Sequence, residues 1–405
     1  MTRDERQKEC IRRWVKAGGN ASIVACTGFG KTKVALDIID LLVKKNPDLY
    51  VIIVVPTDFL KEQWEEQLFD RKLYFNCSVQ IINSAIKQNQ ECDLLIQDEC
   101  HLFASQQFKQ VFQKIKYKLI LCLTGTLERL DGKEEIIKKY APVCDRITLT
   151  IAEKNGWVSH VNEYVVLLNV DLSEYNEVNK KFNSYFAFFN FDFKIGMACL
   201  QDPKYRNSYA KTINIPAKQL AVIAADWMRC LRARKVFIQS HPKKIEIIRK
   251  ILDARKDKKA IVFSATIKDA ESIKRGNVLH SKQSKKDNKT ILDEFNKAES
   301  GVICTSKALN QGVDVKGLSV GIIASIDSSK ITKTQRVGRI CRFEEGKTAE
   351  MFTLLIAGTQ EVNWFKNSCT TKYKVISEDQ LDDLLNGEEV SGSQFIGSSD
   401  INKRF

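Results

Sequence analysis

The chain is predicted to be an α/β protein built on two mostly parallel sheets, each covered by helices on both faces. Three observations carry this. Uninterrupted apolar runs of strand length recur in the first part of the chain: Val51-Ile52-Ile53-Val54-Val55, Leu94-Leu95-Ile96 and Leu119-Ile120-Leu121-Cys122-Leu123. Such runs mark strands buried on both faces of a parallel sheet, where alternation is lost. Helical patterns separate them, as strand–helix–strand crossovers require. The same rhythm returns later, with apolar runs at 260–263, 301–304, 320–324 and 351–356. A chain of 405 residues is long enough for two or three domains.

The run Ala25-Cys26-Thr27-Gly28-Phe29-Gly30-Lys31-Thr32 is the most informative stretch. The apolar Ala21-Ser22-Ile23-Val24 precedes it, and the helical pattern Val34-Ala35-Leu36-Asp37-Ile38-Ile39 follows. Strand, glycine loop, Lys-Thr and helix form the context of a phosphate-binding loop. Gly28 and Gly30 let the backbone aim N–H groups at phosphate oxygens, and the helix end adds its dipole. Lys31 is expected to reach the β- and γ-phosphates, and Thr32 to ligate Mg²⁺. Thr27 lies in the same cradle. Ala25 stands where the strict pattern has glycine.

A second cluster, Asp98-Glu99-Cys100-His101, closes the apolar run ending in Ile96-Gln97. Ligands gather at the carboxyl ends of parallel strands. There Asp98 is expected to hold Mg²⁺ and Glu99 to orient and deprotonate a water. A solvated Asp-Glu pair is the bland alternative. The third cluster is Gln335-Arg336-Val337-Gly338-Arg339-Ile340-Cys341-Arg342, some three hundred residues after the loop. Arg339 and Arg342 share one face if helical. Brought from a second lobe, they would stabilise charge on a γ-phosphate.

These three clusters resemble motifs I, II and VI of the superfamily 2 helicases and translocases. Other pieces fall in the family's order. Arg6-Gln7 resembles the upstream glutamine that reads adenine. Val55-Pro56-Thr57, followed by Leu60, Gln63 and Trp64, resembles motif Ia. Leu123-Thr124-Gly125-Thr126 resembles motif III, 260–264 motif IV, and 305–314 motif V. The resemblance spans residues 6–345 and implies two tandem RecA-like domains with ATP in the cleft between them. It assigns Gln7, Thr27, Gly28, Gly30, Lys31, Thr32, Gly312, Asp314 and Gln335 to nucleotide binding. Thr32 and Asp98 would hold Mg²⁺, and Lys31, Glu99, Arg339 and Arg342 would carry catalysis. His101, Thr124 and Thr126 would couple nucleotide state to nucleic acid, which Pro56, Thr57 and Thr305 would touch. Motif II reads Asp-Glu-Cys-His. The run Thr124-Gly125-Thr126-Leu127-Glu128-Arg129-Leu130-Asp131-Gly132 is similar to the DNA-directed branch, which includes excision-repair and phage branch-migration helicases. DNA, duplex, forked or branched, is the expected partner, with single strands possible and RNA less favoured. An RNA helicase, a duplex translocase that separates no strands, and an inactive nucleic-acid binder are the alternatives.

Composition agrees with a polyanionic partner: 64 basic against 50 acidic side chains give a net charge of +14. No apolar run reaches the length of a membrane span, and the N-terminus lacks a signal-peptide core, so a cytoplasmic setting, bacterial or phage-infected, is expected. The twelve cysteines are scattered without a Cys-x-x-Cys pair, which points to buried reduced thiols rather than zinc or iron–sulfur. The four histidines form no ligand pair.

The domains are expected at 1–150, 226–372 and, between them, a linker and helical insertion at 151–225, in which Tyr164–Val170 reads as a strand. The insertion carries Phe182, Tyr185, Phe186, Phe188, Phe189, Phe191 and Phe193. These would serve either as a base-stacking platform or as helical core, the commoner use. Residues 373–405 read as an acidic, Ser/Gly-containing tail with a short helix.

Overall fold

The computed structural model describes residues 1–105, 108–127, 132–306, 315, 317–326, 348–369, 372–391 and 393–396. Gly312, Asp314, Gln335, Arg339 and Arg342 lie outside them. The first sheet holds β1 (Asn20–Ala25), β2 (Val51–Val55), β3 (Cys77–Ile81), β4 (Gln90–Asp98), β5 (Ile115–Thr124) and β6 (Val143–Ile147). Their order is β3-β2-β4-β5-β1-β6, and every pairing is parallel.

The apolar runs are buried on both faces, as expected of a parallel sheet. Along β2, Val51, Ile53 and Val55 face one cluster while Ile52 and Val54 face another. Three helices cover the first face: α1 (Arg3–Lys16), α2 (Lys31–Lys45) and α3 (Asp58–Asp70), through Trp14, Leu36 and Trp64. The α1 helix starts with a capping box in which Thr2 accepts from the Glu5 amide and Glu5 accepts from the Thr2 amide. It is pinned to β6 by Arg6, whose guanidinium donates to both oxygens of buried Asp145 at 2.6 Å.

The second sheet holds β7 (His160–Leu168), β8 (Lys259–Ser264), β9 (Asn277–Leu279), β10 (Gly301–Ser306), β11 (Leu318–Ile323), β12 (Thr348–Ile356), β13 (Lys372–Ile376) and β14 (Ser393–Ile396). The order is β14-β13-β7-β12-β11-β8-β10-β9, parallel except for the β13–β14 pair.

Two features differ from the division read along the chain. The strand expected inside the linker is β7, and it lies in the second sheet between β12 and β13. The acidic helix Glu378–Leu385 is docked: Leu381 is buried, and Glu378 and Asp382 pair with Lys243 and Lys250. Both involve pairing between segments far apart in sequence, which local pattern does not encode.

Between β7 and β8 the chain forms helices Ser173–Ala187, Phe193–Gln201, Pro203–Thr212 and Ala217–Gln239. They share a core of their own around Trp227. Phe182, Phe186, Phe189 and Phe193 place their ring centroids 6.2, 5.5, 5.4 and 5.2 Å from it. Phe182 and Phe189 are therefore core, with Tyr185 and Phe186 packed against it, while Phe188, Phe191 and Phe193 are exposed.

A buried ion pair organises the carboxyl ends of β11 and β12. Lys244 Nζ donates to the two oxygens of Glu361 at 2.7 and 2.8 Å. The same carboxylate accepts from the backbone amides of Ile326 and Ile356, each at 3.2 Å. Removing one partner leaves an uncompensated buried charge, which costs about 3–5 kcal/mol. Lys244→Met should therefore lower unfolding stability by about 4 kcal/mol in a urea titration. The double variant Lys244→Met/Glu361→Leu should lose less than that single variant.

Candidate active site

The strand order puts β5 between β1 and β4, so the segments that follow these three strands meet at one edge. Register sets their level: Val24 pairs with Thr124, and Asp98 pairs with Leu123. The phosphate-loop candidate leaves β1, the Asp-Glu pair ends β4, and Thr124-Gly125-Thr126 ends β5.

The loop from Cys26 to Gly30 is tightly held. Gly28 and Gly30 have φ of 86° and 96°, in the left-handed region that favours glycine. Gly30 is also the N-cap of α2, with Lys31 and Thr32 as its first two residues. Lys31 Nζ donates to the Ala25 carbonyl at 3.1 Å, which folds the ammonium back over the loop. A Cβ on Gly125 would lie 3.8 Å from that ammonium and 3.5 Å from Thr27 Oγ1, so this glycine opens the floor of the concavity.

Helix α1 grips the loop from outside. Arg3 donates to the carbonyls of Gly28 at 2.6 Å and Phe29 at 3.1 Å. Gln7 donates to Phe29 O at 2.8 Å and accepts from Lys33 Nζ at 2.9 Å. The amides of Cys26 and Phe29 are themselves bonded, to Ile147 O at 2.9 Å and Cys26 O at 3.3 Å. Gln7 is 1% exposed and braced at both ends, so reading an adenine edge would require its amide to turn off Phe29 O. Phe29 itself is buried against Trp157, ring centroids 6.0 Å apart.

Asp98 is nearly buried. Its Oδ1 accepts from the Glu99 amide at 2.9 Å, and its Oδ2 accepts from Trp64 Nε1 at 3.0 Å. Burial and the neighbouring Glu99 push its carboxyl up to about 6, against the pull of Trp64 and Lys31. Glu99 sits at φ 50°, a left-handed conformation uncommon for a non-glycine residue and frequent at functional sites. The turn directs its side chain toward His101, whose Nδ1 is 3.4 Å from Glu99 Oε2.

His101 is buried and lies 2.9 Å from Thr124 Oγ1 through Nδ1. The Thr124 hydroxyl donates to Thr126 O at 2.8 Å and accepts from Thr126 N at 3.2 Å. Its one proton is thereby used, so Nδ1 carries the hydrogen and donates to it. This chain links Glu99, His101, Thr124 and Thr126, the residues expected to couple.

Pro56 and Thr57 follow β2, where Thr57 caps α3 by accepting from the Leu60 amide at 3.3 Å. Thr305 lies elsewhere, in β10 of the second sheet, with its hydroxyl buried and without a hydrogen-bond partner among the described residues. Thiols near the site are inert: burial pushes Cys26 up to about 11 and Cys100 well above its ordinary value.

Comparison with known proteins decides the family. A family described as "Type III restriction enzyme, res subunit" matches residues 1–91 and 70–129, and one described as "Helicase conserved C-terminal domain" matches 243–344. The chain belongs to the superfamily 2 helicases and translocases. It is 28% identical over 380 residues to the "DNA 3'-5' translocase XPB2" of Sulfurisphaera tokodaii, covering 88% of this chain and 82% of that protein. Among solved structures, the Hef helicase domain of Pyrococcus furiosus superposes with a TM-score of 0.53 at 16% identity, covering 89% of this chain and 97% of that one. Dbp5 of S. cerevisiae, bound to RNA and ADP BeF3, gives 0.60 at 14% identity, covering 94% and 91%. These likenesses establish the tandem RecA-like fold.

In this superfamily 2 chain the first lobe brings together Gln7, Thr27, Gly28, Gly30, Lys31, Thr32, Asp98, Glu99, His101, Thr124 and Thr126. Arg3, Lys33 and Trp64 join them without having been singled out for a site role from sequence. Trp64 was visible as part of a motif, but the carboxylate it meets is 34 positions away. Gly30 gives a direct test. A Cβ there would lie 2.5 Å from Gln7 Nε2, on a backbone that costs an L-residue about 1–2 kcal/mol. Gly30→Ala should weaken binding of a fluorescent ATP analogue at least about tenfold while the circular dichroism spectrum stays unchanged.

Proposed function

We propose that this protein hydrolyses ATP in the first lobe's loop and uses the cycle to move along DNA. The observation that carries the reading is the convergence of the β1, β4 and β5 carboxyl ends. It places a lysine-bearing glycine loop beside a buried Asp-Glu pair and a His-Thr relay.

The residues fit a magnesium-bound triphosphate. Gly125 borders the space beside the Lys31 ammonium and Thr27, at the first turn of α2, which suits phosphate oxygens, while Gly30 lets α1 close against the loop. Asp98, buried beside a second carboxylate, holds negative charge that a cation relieves. Thr32 and Asp98 would hold Mg²⁺, which when bound supplies positive charge against the triphosphate. Gly28 and Gly30 supply N–H groups, and Lys31 supplies its ammonium to the terminal phosphates. Glu99 takes a proton from the attacking water at a carboxylate oxygen. His101 holds Glu99 and carries its position to Thr124 and Thr126. Arg339 and Arg342, with Gln335, Gly312 and Asp314, would reach the phosphates from the second lobe.

The DNA assignment is supported by the likeness to the DNA 3'-5' translocase XPB2 of Sulfurisphaera tokodaii and by the Thr-Gly-Thr run of motif III. Pro56 and Thr57 would contact the sugar–phosphate backbone, consistent with a chain of net charge +14, whereas Thr305 is buried in β10 and does not present its hydroxyl to such a partner. Among the described residues no helix is long and apolar enough to cross a membrane.

The test is the steady-state ATPase rate without nucleic acid and with single-stranded, duplex or forked DNA or RNA, at two salt concentrations. Duplex or forked DNA should stimulate most, and less so at high salt. Stimulation by RNA alone would overturn the DNA reading. Lys31→Ala and Glu99→Gln should each reduce the stimulated rate by about a hundredfold or more. Retained hydrolysis in both variants would refute the site.

A further inference from the structure

We propose that Trp64 is a positioning residue for the divalent cation, holding the Asp98 carboxylate in the orientation that ligation needs. The inference rests on the reading of Asp98 as a cation ligand and extends it to a residue outside the nucleotide motifs.

Asp98 ends a strand, and a carboxylate there can rotate about its side-chain bonds. Two donors stop it. The Glu99 amide holds Oδ1 at 2.9 Å and the Trp64 indole holds Oδ2 at 3.0 Å, one donor for each oxygen. The first donor is the adjacent backbone and moves with Asp98. The second comes from another element, so among the described residues it is the donor that fixes the carboxylate against the rest of the lobe. Each oxygen keeps a lone pair for a cation or its water.

The anchor is rigid. Trp64 is 1% exposed, and with Leu68 it is one of the two residues of α3 that are fully inside. Helix α3 is fixed at its start by the Thr57 cap, directly after β2. Strand β2 pairs with β4 up to Val54 and Gln97, one residue before Asp98. The indole thus links the strand end bearing Pro56 and Thr57 to the cation ligand. A packing role alone would be met by any ring of that size. The aimed N–H is what distinguishes the positioning role, and charge-assisted bonds of this kind outweigh neutral ones.

The experiment uses the full chain with a non-hydrolysable ATP analogue and Mn²⁺, free Mn²⁺ being read by electron paramagnetic resonance. Trp64→Phe keeps a buried ring and loses the donor. Mn²⁺ should dissociate from its analogue complex about tenfold more readily, while analogue affinity in EDTA stays at the wild-type value. Replacing the Trp64 indole by benzothiophene, the same shape without N–H, should reproduce that loss and guards against unfolding of Trp64→Phe. Wild-type Mn²⁺ affinity in the benzothiophene protein would overturn the proposal and leave Trp64 a packing residue. An equal fall in analogue affinity without metal would overturn it too, since the effect would not be specific to the cation. Asp98→Asn is the control that separates the two readings. If it binds Mn²⁺ as the wild type does, the cation site itself is misplaced, and the role of Trp64 falls with it.

Discussion

The register of three parallel strands is the constraint on which the rest of the first lobe depends. Strand β5 hydrogen-bonds to β1 on one side and β4 on the other, with Val24 level with Thr124 and Asp98 level with Leu123. Because the three ends stop within two residues of one another, a lysine loop, a carboxylate pair and a hydroxyl relay share one edge. Shifting any of these ladders by one position would turn every side chain of that strand to the opposite face. The continuous apolar burial of β1, β4 and β5 makes such a shift costly in both cores at once.

The chemistry placed on that edge is arranged before any ligand arrives. The loop carbonyls are occupied by Arg3 and Gln7, Asp98 by a backbone amide and an indole, and Thr124 by His101 and Thr126. Groups already oriented need not reorganise when charge develops, which is where enzymes obtain most of their electrostatic advantage. The left-handed backbone at Glu99 belongs to the same logic. Its turn aims the carboxylate at His101 rather than along the strand.

Much of this was legible in the chain, and the boundary of legibility is physical. Strand β2 was readable because burial on both faces leaves an unbroken Val/Ile run, and Val51–Val55 is the observed strand. The loop and the Asp-Glu pair were readable because phosphate and cation chemistry restricts residue type at fixed local spacing. What was not legible is pairing across distance. The strand near residue 164 was visible, yet nothing local says that it lies between β12 and β13. The acidic helix showed its charges, but not the Lys243 and Lys250 partners 130 residues upstream. Arg3, Lys33 and Trp64 escaped for the same reason, since a donor's identity is local and its acceptor is not.

Buried polar contacts divide the molecule into parts that hold and parts that act. Arg6 and Asp145 join α1 to β6, and Lys244 and Glu361 join a helix to two strand ends. Each pair is a poor source of net stability, because desolvating two charges offsets most of their attraction. What they do supply is specific partnering: Asp145 is met by Arg6 and by Arg13, and Glu361 by Lys244 and two backbone amides. In the second lobe this reasoning has a particular consequence. Glu361 binds the amide of Ile326, where the described chain leaves β11 toward the arginine-rich segment, and the amide of Ile356, at the end of β12. The carboxylate therefore ties the segment that leaves β11 to the carboxyl end of the neighbouring β12, two adjacent strand ends of one sheet.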